Sequence, residues 1–467
     1  MSVPSTDARA AHAAGVERLL ASYRVIPPTA TVRLAKPTSN LFRARAKSNA
    51  KGLDVSGLTG VLAIDPDART ADVAGMCTYA DLVAATLPFG LSPLVVPQLK
   101  TITLGGAVTG LGIESASFRN GLPHESVLEM DILTGTGEVL TASPEHNADL
   151  YRAFPNSYGT LGYSVRLRIE LESVKPFVAL KHLRFHSLAD MVATMDRIIE
   201  TGGIDGCPVD YLDGVVFSAD ESYLTLGFQT STPGPVSDYT GQRIYYRSIQ
   251  HADKEKHDRL TIHDYLWRWD TDWFWCSRAF GAQHPKVRRL WPRRYRRSSF
   301  YWKLIAYDQR FNIADRIEKR SIRSPVRSTS ERVVQDVEVP IERCSEFLDW
   351  FLANVPIEPI WLCPLRLRDD PKSGGAWPLY PLRSHHTYVN VGFWSSVPAG
   401  ATEGETNRLI ERKVSELDGH KSLYSDAFYS PDEFDELYGG EAYKTVKKTY
   451  DPDSRLLDLY AKAVQRR

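Results

Sequence analysis

Cysteine is scarce in this sequence, and the few cysteines are scattered singly. Five occur in 467 residues, an odd number without any C-x-x-C pair: Cys77, Cys207, Cys276, Cys344 and Cys363. Disulfide frameworks and cysteine-based zinc or redox sites use paired cysteines at short spacings, so neither is expected. This usage is typical of a reducing compartment and predicts a cytoplasmic protein.

The sequence also lacks long apolar runs and an excess of charge of either sign. No run of about 18 uncharged apolar residues occurs, as a membrane-spanning helix would need. Residues 1–24 are interrupted by Asp7, Arg9 and Glu17, so they lack the apolar core of a signal peptide. Because 57 Lys and Arg balance 57 Asp and Glu, any affinity for nucleic acid or membranes must come from a local patch.

The length suffices for two or three domains, and 43% hydrophobic residues are ample for their cores. Up to about residue 170, short apolar segments alternate with helical patterns and end at Gly, Pro or Asp turns. Beyond Pro176 the connections are longer and aromatic residues more frequent. We therefore predict a first domain over residues 1–174, a second over 175–420, and a C-terminal segment, 421–467, that returns to the first domain.

Three local patterns in the first domain are well defined. Thr78 has the position of an N-cap for a helix that Gly90 ends. Residues 129–133 and 138–141 flank Gly135-Thr136-Gly137, which predicts a hairpin. Residues 163–171 alternate apolar and charged side chains, which predicts a half-buried strand.

Two glycine-rich segments are candidates for binding a diphosphate. Glycines without a Cβ let backbone amides approach phosphate oxygens, and residues 101–112 and 156–163 both offer this. The first segment lacks the third glycine of the Rossmann fingerprint. Taken singly, each segment is also explained by packed turns or a tight loop.

Together, two such segments separated by a hairpin resemble the FAD-binding domain of the vanillyl-alcohol oxidase and para-cresol methylhydroxylase (PCMH) superfamily. The likeness runs through residues 87–91 (LPFGL), 96–97 (VP), 102–106 (ITLGG), 130–134 (MDILT), 137–138 (GE), 149–150 (DL) and 159–162 (GTLG). Over nearly the whole chain the sequence resembles the sterol reductase branch of that superfamily. That second likeness includes residues 110–115 (GLGIES), 360–364 (IWLCP), 423–426 (LYSD) and 432–434 (DEF).

The resemblance implies an α+β fold: a PCMH-type two-part FAD-binding domain plus an α+β substrate (cap) domain with an antiparallel sheet. It implies FAD-dependent reduction of an isolated carbon–carbon double bond in a lipid, with NADPH as reductant. The favoured substrate is a phospholipid-bound 10-methylene fatty acyl chain, reduced to 10-methyl as in an actinobacterial branch. The alternatives are a delta-24 sterol, oxidation of an alcohol or sugar, and a lipid-binding protein with a degenerate flavin site.

The resemblance also assigns cofactor contacts. These are Thr103, Gly105, Gly106, Gly110, Gly112 and Ile113 in the central flavin loop, Gly159, Gly162 and Ser164 in the second loop, and Thr38, Ser39 and Asn40 in a glycine-poor first loop. Members that attach FAD covalently use a histidine or cysteine near the first loop, and residues 31–60 contain neither. We therefore predict noncovalent FAD, with His124 as the nearest alternative anchor.

Reduction of an unactivated alkene requires a general acid near the substrate face of the flavin. The candidates are Glu114, beside the central loop, and Tyr424 and Asp426, in a segment that the family places against the cofactor. The two carboxylates are also explained as a turn cap and a loop carboxylate. No metal is expected, because adjacent residues in a strand, such as His385 and His386, point to opposite faces.

Six of the ten tryptophans lie between residues 267 and 302, which also contain seven basic residues within positions 286–297. Three interpretations stay open for this segment: an ordinary core with a solvated arginine face, a nucleic-acid surface, or a contact with lipid headgroups. We predict no nucleic-acid partner and a peripheral contact at the inner face of the membrane through residues 286–297. The other expected partners are the lipid substrate and a lipid methyltransferase.

Overall fold

The structure is a computed structural model that describes residues 3–4, 6–36, 42, 52–240, 243–311, 330–368 and 377–467. Its described part consists of two large antiparallel sheets with helices packed around them. The predicted α+β class with an antiparallel sheet is confirmed. The proposed contacts Thr38, Ser39 and Asn40 lie outside the described residues.

The first sheet has seven strands in the order β1-β2-β3-β7-β5-β6, with β4 paired to β7. Its strands are β1 (Val3–Pro4), β2 (Val61–Asp65), β3 (Thr70–Ala74), β4 (Leu91–Pro93), β5 (Val127–Leu133), β6 (Val139–Ala142) and β7 (Tyr163–Ser173). The predicted hairpin is confirmed as β5 and β6, with Gly137 at a φ of 86° in the turn. The alternating strand is confirmed as β7, whose apolar side chains are buried.

Helices surround this sheet. They are Thr6–Arg24, Tyr79–Thr86, Leu104–Thr109, Ser117–Asn120 and Ala148–Ala153, with short 3-10 helices at Leu87–Phe89 and Pro123–Ser126. The predicted N-cap is confirmed, because Thr78 accepts a hydrogen bond from the amide of Asp81. Three helices lie at the C-terminus: Pro431–Leu437, Gly440–Tyr450 and Leu459–Ala463. The last two pack against the first half of the chain. Tyr450 donates to Asp149 (2.8 Å) in one of these contacts.

The second sheet has eight strands in the order β13-β8-β12-β11-β15-β16-β14-β17. Its strands are β8 (Phe177–Phe185), β11 (Tyr211–Ser218), β12 (Glu221–Thr230), β13 (Glu255–Thr261), β14 (Ser330–Pro340), β15 (Ile360–Arg366), β16 (Thr387–Pro398) and β17 (His420–Lys421); β9 (Gly203–Ile204) and β10 (Cys207–Pro208) form a separate hairpin.

The helices of this half are Leu188–Thr201, Tyr245–Ile249, Ile262–Leu266, Pro285–Leu290, Ser298–Phe311, Ile341–Asn354 and Glu405–Glu416, with 3-10 helices at Asp270–Asp272, Cys276–Phe280 and Arg293–Tyr295. Among the described helices, none combines the length and the apolar character needed to cross a membrane.

The two faces of the second sheet have different neighbours. Successive side chains of a strand point to opposite faces, so cross-strand partners share a face. Leu362 and Val391 are partners, and they pack in a core with the helices Leu188–Thr201 and Ile341–Asn354. One residue away, Trp361 is opposite Gly392, which is in turn opposite Asp336. These three residues therefore share the other face, which is turned toward the first half of the chain.

Candidate active site

A cavity of about 680 Å³ lies where the glycine-rich segment of the first half meets the second sheet. Cavities of about 300–1,000 Å³ are typical of sites for small molecules and cofactors. Its wall contains residues 97–99, 102–103 and 109–113 on one side, and Asp336, Trp361 and Trp394 on the other. The cavity thus joins the predicted cofactor segment to the second sheet.

The structure brings six of the predicted cofactor residues into the cavity wall: Thr103, Gly106, Gly110, Gly112, Ile113 and Gly159. Gly106 lies in the first turn of the helix Leu104–Thr109 and donates its amide hydrogen to Thr103 Oγ1 (3.2 Å). A Cβ on Gly110 would lie 2.7 Å from the Gly106 carbonyl oxygen. Glycine is therefore required for the close packing of backbone that forms this wall.

Three other predicted cofactor residues lie behind the wall. Gly105 packs against the backbone of Gly75 and the side chain of Ser164, where a Cβ would lie 2.6 Å from the Gly75 carbonyl oxygen. Gly162 packs in the same way against Leu133. None of Gly105, Gly162 and Ser164 lines the cavity. Their position supports the wall from behind.

Among the described residues, four cationic side chains line the cavity and were not found from the sequence: Arg33, Lys36, Lys462 and Arg467. Lys36 donates to Thr103 Oγ1 (3.1 Å), and Lys462 donates to the carbonyl of Tyr158 (2.6 Å). The diphosphate of FAD is anionic, and cations beside exposed backbone amides are the donors that it requires. The residues present therefore fit FAD.

The other part of the cavity wall is aromatic. Its members are Phe42, Trp273, Phe274, Trp361, Trp394 and Tyr424. They contact one another: the ring centroids of Phe274 and Trp394 are 4.4 Å apart, and those of Phe42 and Tyr424 are 5.9 Å apart. Such a wall suits an apolar substrate and keeps water from it.

Asp336 is the one acidic side chain among the described residues of the cavity wall. Asn390 donates to Asp336 Oδ1 (3.2 Å), and the Tyr424 hydroxyl lies beside the same carboxyl. The cross-strand neighbour is Gly392, where a Cβ would collide with Asp336 Oδ1 and crowd the Trp394 ring. Burial raises the pKa of Asp336 to about 7, although the hydrogen bond from Asn390 and the neighbouring Tyr424 hydroxyl act in the opposite direction. Asp336 thus faces the cavity as a carboxyl group whose pKa is raised into the neutral range.

Glu114 does not line the cavity. It lies in a buried ion network in which Arg268 bridges Glu114 Oε1 (3.0 Å) and Asp213 Oδ2 (2.9 Å). Ser115 donates to Glu114 through its amide (2.5 Å), and its hydroxyl contacts the Tyr265 hydroxyl (2.8 Å). The structure therefore gives Glu114 a place in the contact between the two halves rather than beside a substrate.

The two candidates from the segment 423–426 are placed differently. Tyr424 lines the cavity, and burial raises its pKa well above the ordinary value. Asp426 is outside the cavity wall and is held by Arg332 (2.8 Å) and Arg466 (3.6 Å). Of the three acids expected from the sequence, the structure brings only Tyr424 to the cavity, where it lies next to Asp336.

The alternative covalent anchor, His124, is not placed as a reactive group, and neither is Cys276, which lines the cavity. His124 is buried against Trp377, with ring centroids 4.5 Å apart, and burial lowers its pKa to about 3. It is absent from the cavity wall, whereas Cys276 is part of it. Burial raises the pKa of the Cys276 thiol to about 12, which disfavours the thiolate. Within the described ranges, no group of three or more His, Cys, Asp or Glu could hold a metal ion.

Comparison with known proteins agrees with this geometry. A family model described as "FAD binding domain" matches residues 30–143. Delta(24)-sterol reductase of Rattus norvegicus is 24% identical over 439 residues, which cover 91% of this chain and 80% of the relative. The enzyme of the same name from Arabidopsis thaliana is 24% identical over 450 residues, 88% of this chain and 76% of the relative. Cytokinin dehydrogenase 2 of Arabidopsis thaliana is 29% identical over 257 residues, 51% of each chain.

The chain is therefore an FAD-dependent oxidoreductase with a PCMH-type FAD-binding domain. Within that class it is similar to the delta(24)-sterol reductases over most of its length. FAD is the cofactor that this domain binds.

Proposed function

We propose that the protein reduces an isolated carbon–carbon double bond in a lipid, with NADPH as the source of electrons. The observation that carries the proposal is the aromatic cavity wall with Asp336 in it. An apolar alkene binds to such a wall, and the carboxyl supplies the proton that an unactivated alkene requires. The likeness to delta(24)-sterol reductases supports reduction rather than oxidation.

When bound, reduced FAD supplies the hydride, and NADPH restores its reduced form. The proton comes from this chain: Asp336 donates it to the less substituted alkene carbon, so the positive charge develops on the more substituted one. The faces of Trp361 and Trp394 stabilise that charge by cation–π attraction. The Asp336 carboxylate then takes a proton from solvent, and the product differs from the substrate by two hydrogens.

In this scheme Tyr424 is a neighbour of the proton donor Asp336 and is not itself the donor. Its hydroxyl lies beside the Asp336 carboxyl and stabilises the carboxylate that remains after proton transfer. Glu114 stabilises the contact between the two halves through Arg268, and Asp426 stabilises the segment that carries Tyr424. FAD is held noncovalently by the cationic side chains and the glycine wall.

The favoured substrate is a 10-methylene fatty acyl chain on a phospholipid. Protonation at its terminal CH₂ gives a tertiary cation, and this carbon is less hindered than either carbon of a trisubstituted alkene. A lipid methyltransferase would supply this methylene substrate. The second candidate is a delta-24 sterol, because the relatives that cover most of the chain are named for it.

The test is anaerobic incubation of the FAD-loaded protein with NADPH and either a 10-methylene phospholipid or a delta-24 sterol. We expect the acyl product to gain two hydrogens by mass spectrometry, with one NADPH consumed for each product. Incubation without NADPH is the control. Product from the sterol alone would establish the second candidate, and product from neither alkene would refute lipid double-bond reduction.

A further inference from the structure

One segment of the second half has an unusual distribution of charge. Between Asp272 and Asp308 the sequence contains nine Lys and Arg and no acidic residue: Arg278, Lys286, Arg288, Arg289, Arg293, Arg294, Arg296, Arg297 and Lys303. Residues 285–297 within it form the helix Pro285–Leu290 and the 3-10 helix Arg293–Tyr295. These residues are called the basic ridge below.

Two arginines anchor the basic ridge from below. Arg288 is buried and pairs with Asp272 (2.8 Å), and it also donates to the carbonyl of Arg243 (2.6 Å). Arg296 is buried and donates to the carbonyl of Thr240 (3.3 Å), outside the ridge. The ridge is therefore folded against the body of the protein through these two side chains.

The other five basic side chains of the ridge are exposed: Lys286, Arg289, Arg293, Arg294 and Arg297. Across the described part of the chain, only Arg293 among them forms an ion pair, with the exposed Asp238 (2.6 Å). Five exposed cations with one acidic partner among them produce a local positive potential although the whole chain is neutral. Such a potential attracts anionic surfaces.

Exposed apolar side chains lie among these cations. Leu290, at the end of the helix, is 83% exposed, and Val287 is 37% exposed. Half-buried aromatic rings adjoin them, with Tyr295 stacked on Phe300 at 4.6 Å. The phosphate backbone of a nucleic acid has no apolar group that a protruding leucine could contact, whereas a bilayer has acyl chains directly below its phosphates. The combination favours a lipid surface.

We propose that the basic ridge docks the protein on an anionic phospholipid surface, with Leu290 inserted among the acyl chains. Each exposed basic residue near such a surface strengthens binding about fivefold at low salt. The proposal rests on the charge and exposure of the ridge and is independent of the reaction, since binding needs no turnover.

The test uses the full FAD-loaded chain and sedimentation with phosphatidylcholine vesicles with or without phosphatidylglycerol. We expect binding only to the anionic vesicles, and release by salt. The triple variant Arg289→Gln, Arg294→Gln and Arg297→Gln should bind about a hundredfold more weakly, from three losses of about fivefold each. Leu290→Ser should bind about tenfold more weakly, at the low end of what burial of a leucine contributes.

A matched control removes three exposed cations elsewhere: Arg197→Gln, Arg412→Gln and Lys448→Gln. This variant has the same net charge as the ridge variant and should bind within about twofold of the wild type, since distant exposed charges are screened. Equal losses in both triple variants, or no binding of the wild type, would overturn the proposal. Unchanged binding of Leu290→Ser would overturn the insertion. If duplex RNA releases the wild-type protein from the vesicles, the ridge would be assigned to nucleic acid instead.

Discussion

Replacement of the Asp336 carboxyl by an amide tests the proposed chemistry most directly. Asp336→Asn keeps the side-chain volume and the position beside Asn390 but removes the transferable proton. A positioned general acid contributes about 10²–10⁴-fold to the rate. We expect alkene reduction to slow at least about a hundredfold while flavin binding and its reduction by NADPH stay unchanged. Anaerobic stopped-flow absorbance, which follows reduced flavin mixed with the alkene, measures this step separately.

The pH dependence follows from the same group. With the pKa of Asp336 at about 7, half of the molecules carry the proton at pH 7 and about a tenth at pH 8. The alkene step should therefore fall about tenfold for each pH unit above 7 and level off below about pH 6. Asp336→Asn should show a slow rate without this decline. An unchanged pH profile in the variant would refute Asp336 as the proton donor.

The Asp336→Asn substitution should also increase the stability of the protein at alkaline pH. The pKa of Asp336 rises from the ordinary 3.8 to about 7 on folding, about three units at 1.36 kcal/mol each. The folded state binds this proton more tightly, so the contribution to stability is full below about pH 4 and is lost as the pH rises to about 7. At pH 8 Asp336→Asn should raise the free energy of unfolding by up to about 4 kcal/mol. Urea denaturation at pH 5 and pH 8 measures the difference.

Glu338 provides the matched control. It lies two residues along β14 on the same face, and burial raises its pKa well above the ordinary value. It accepts a hydrogen bond from Ser422 (3.0 Å) and is absent from the cavity wall. Glu338→Gln should therefore stabilise the protein at pH 8 but leave the alkene step and its pH profile intact. Equal slowing of the alkene step in both variants would show that the effect of Asp336→Asn is not specific to proton donation.

Three further predictions concern single residues, and one concerns the cofactor. Tyr424→Phe should raise the pKa of Asp336 and shift the decline in rate to higher pH, whereas complete loss of the alkene step would make Tyr424 the donor. Arg268→Met should lower the free energy of unfolding by about 3–5 kcal/mol, because two buried carboxylates lose their partner; a change below about 1 kcal/mol in urea denaturation would contradict this. Lys462→Gln should weaken FAD binding about tenfold in a fluorescence titration, the value of one charged hydrogen bond, and an unchanged affinity would exclude a diphosphate contact. Acid precipitation should release all of the flavin, and a yellow pellet would show covalent attachment.

The two glycine segments show how much of the cavity wall a local sequence pattern can predict. Gly106 and Gly110, which are predicted cofactor contacts, line the cavity, and the absence of a Cβ in glycine is what allows the close approach of backbone there. Gly105 and Gly162 have the same pattern but pack behind the wall. Sequence spacing cannot separate the two cases, since a glycine that packs on protein and one that faces a ligand obey the same steric rule.

Glu114 and Asp336 show where such inference fails. Glu114 is adjacent in sequence to the flavin loop, but Arg268 from a distant segment holds it away from the cavity. Asp336 alternates with apolar residues in β14, a pattern that ordinarily indicates a solvent-facing side chain. The face of β14 became a cavity wall because the second sheet packs with that face toward the first half of the chain.

The sequence by itself determined the elements and the class of protein. Strand alternation, the Thr78 cap and the β5–β6 hairpin depend on neighbours a few residues apart. The α+β flavoprotein class came from the resemblance to a known superfamily that the residues around the two glycine segments carry. Only the tertiary structure decided which side chains share the cavity. Lys36 and Lys462 come from opposite ends of the chain, and the pKa of Asp336 reflects burial. Burial and charge proximity depend on strand order and on the packing of the two sheets, which no local pattern encodes.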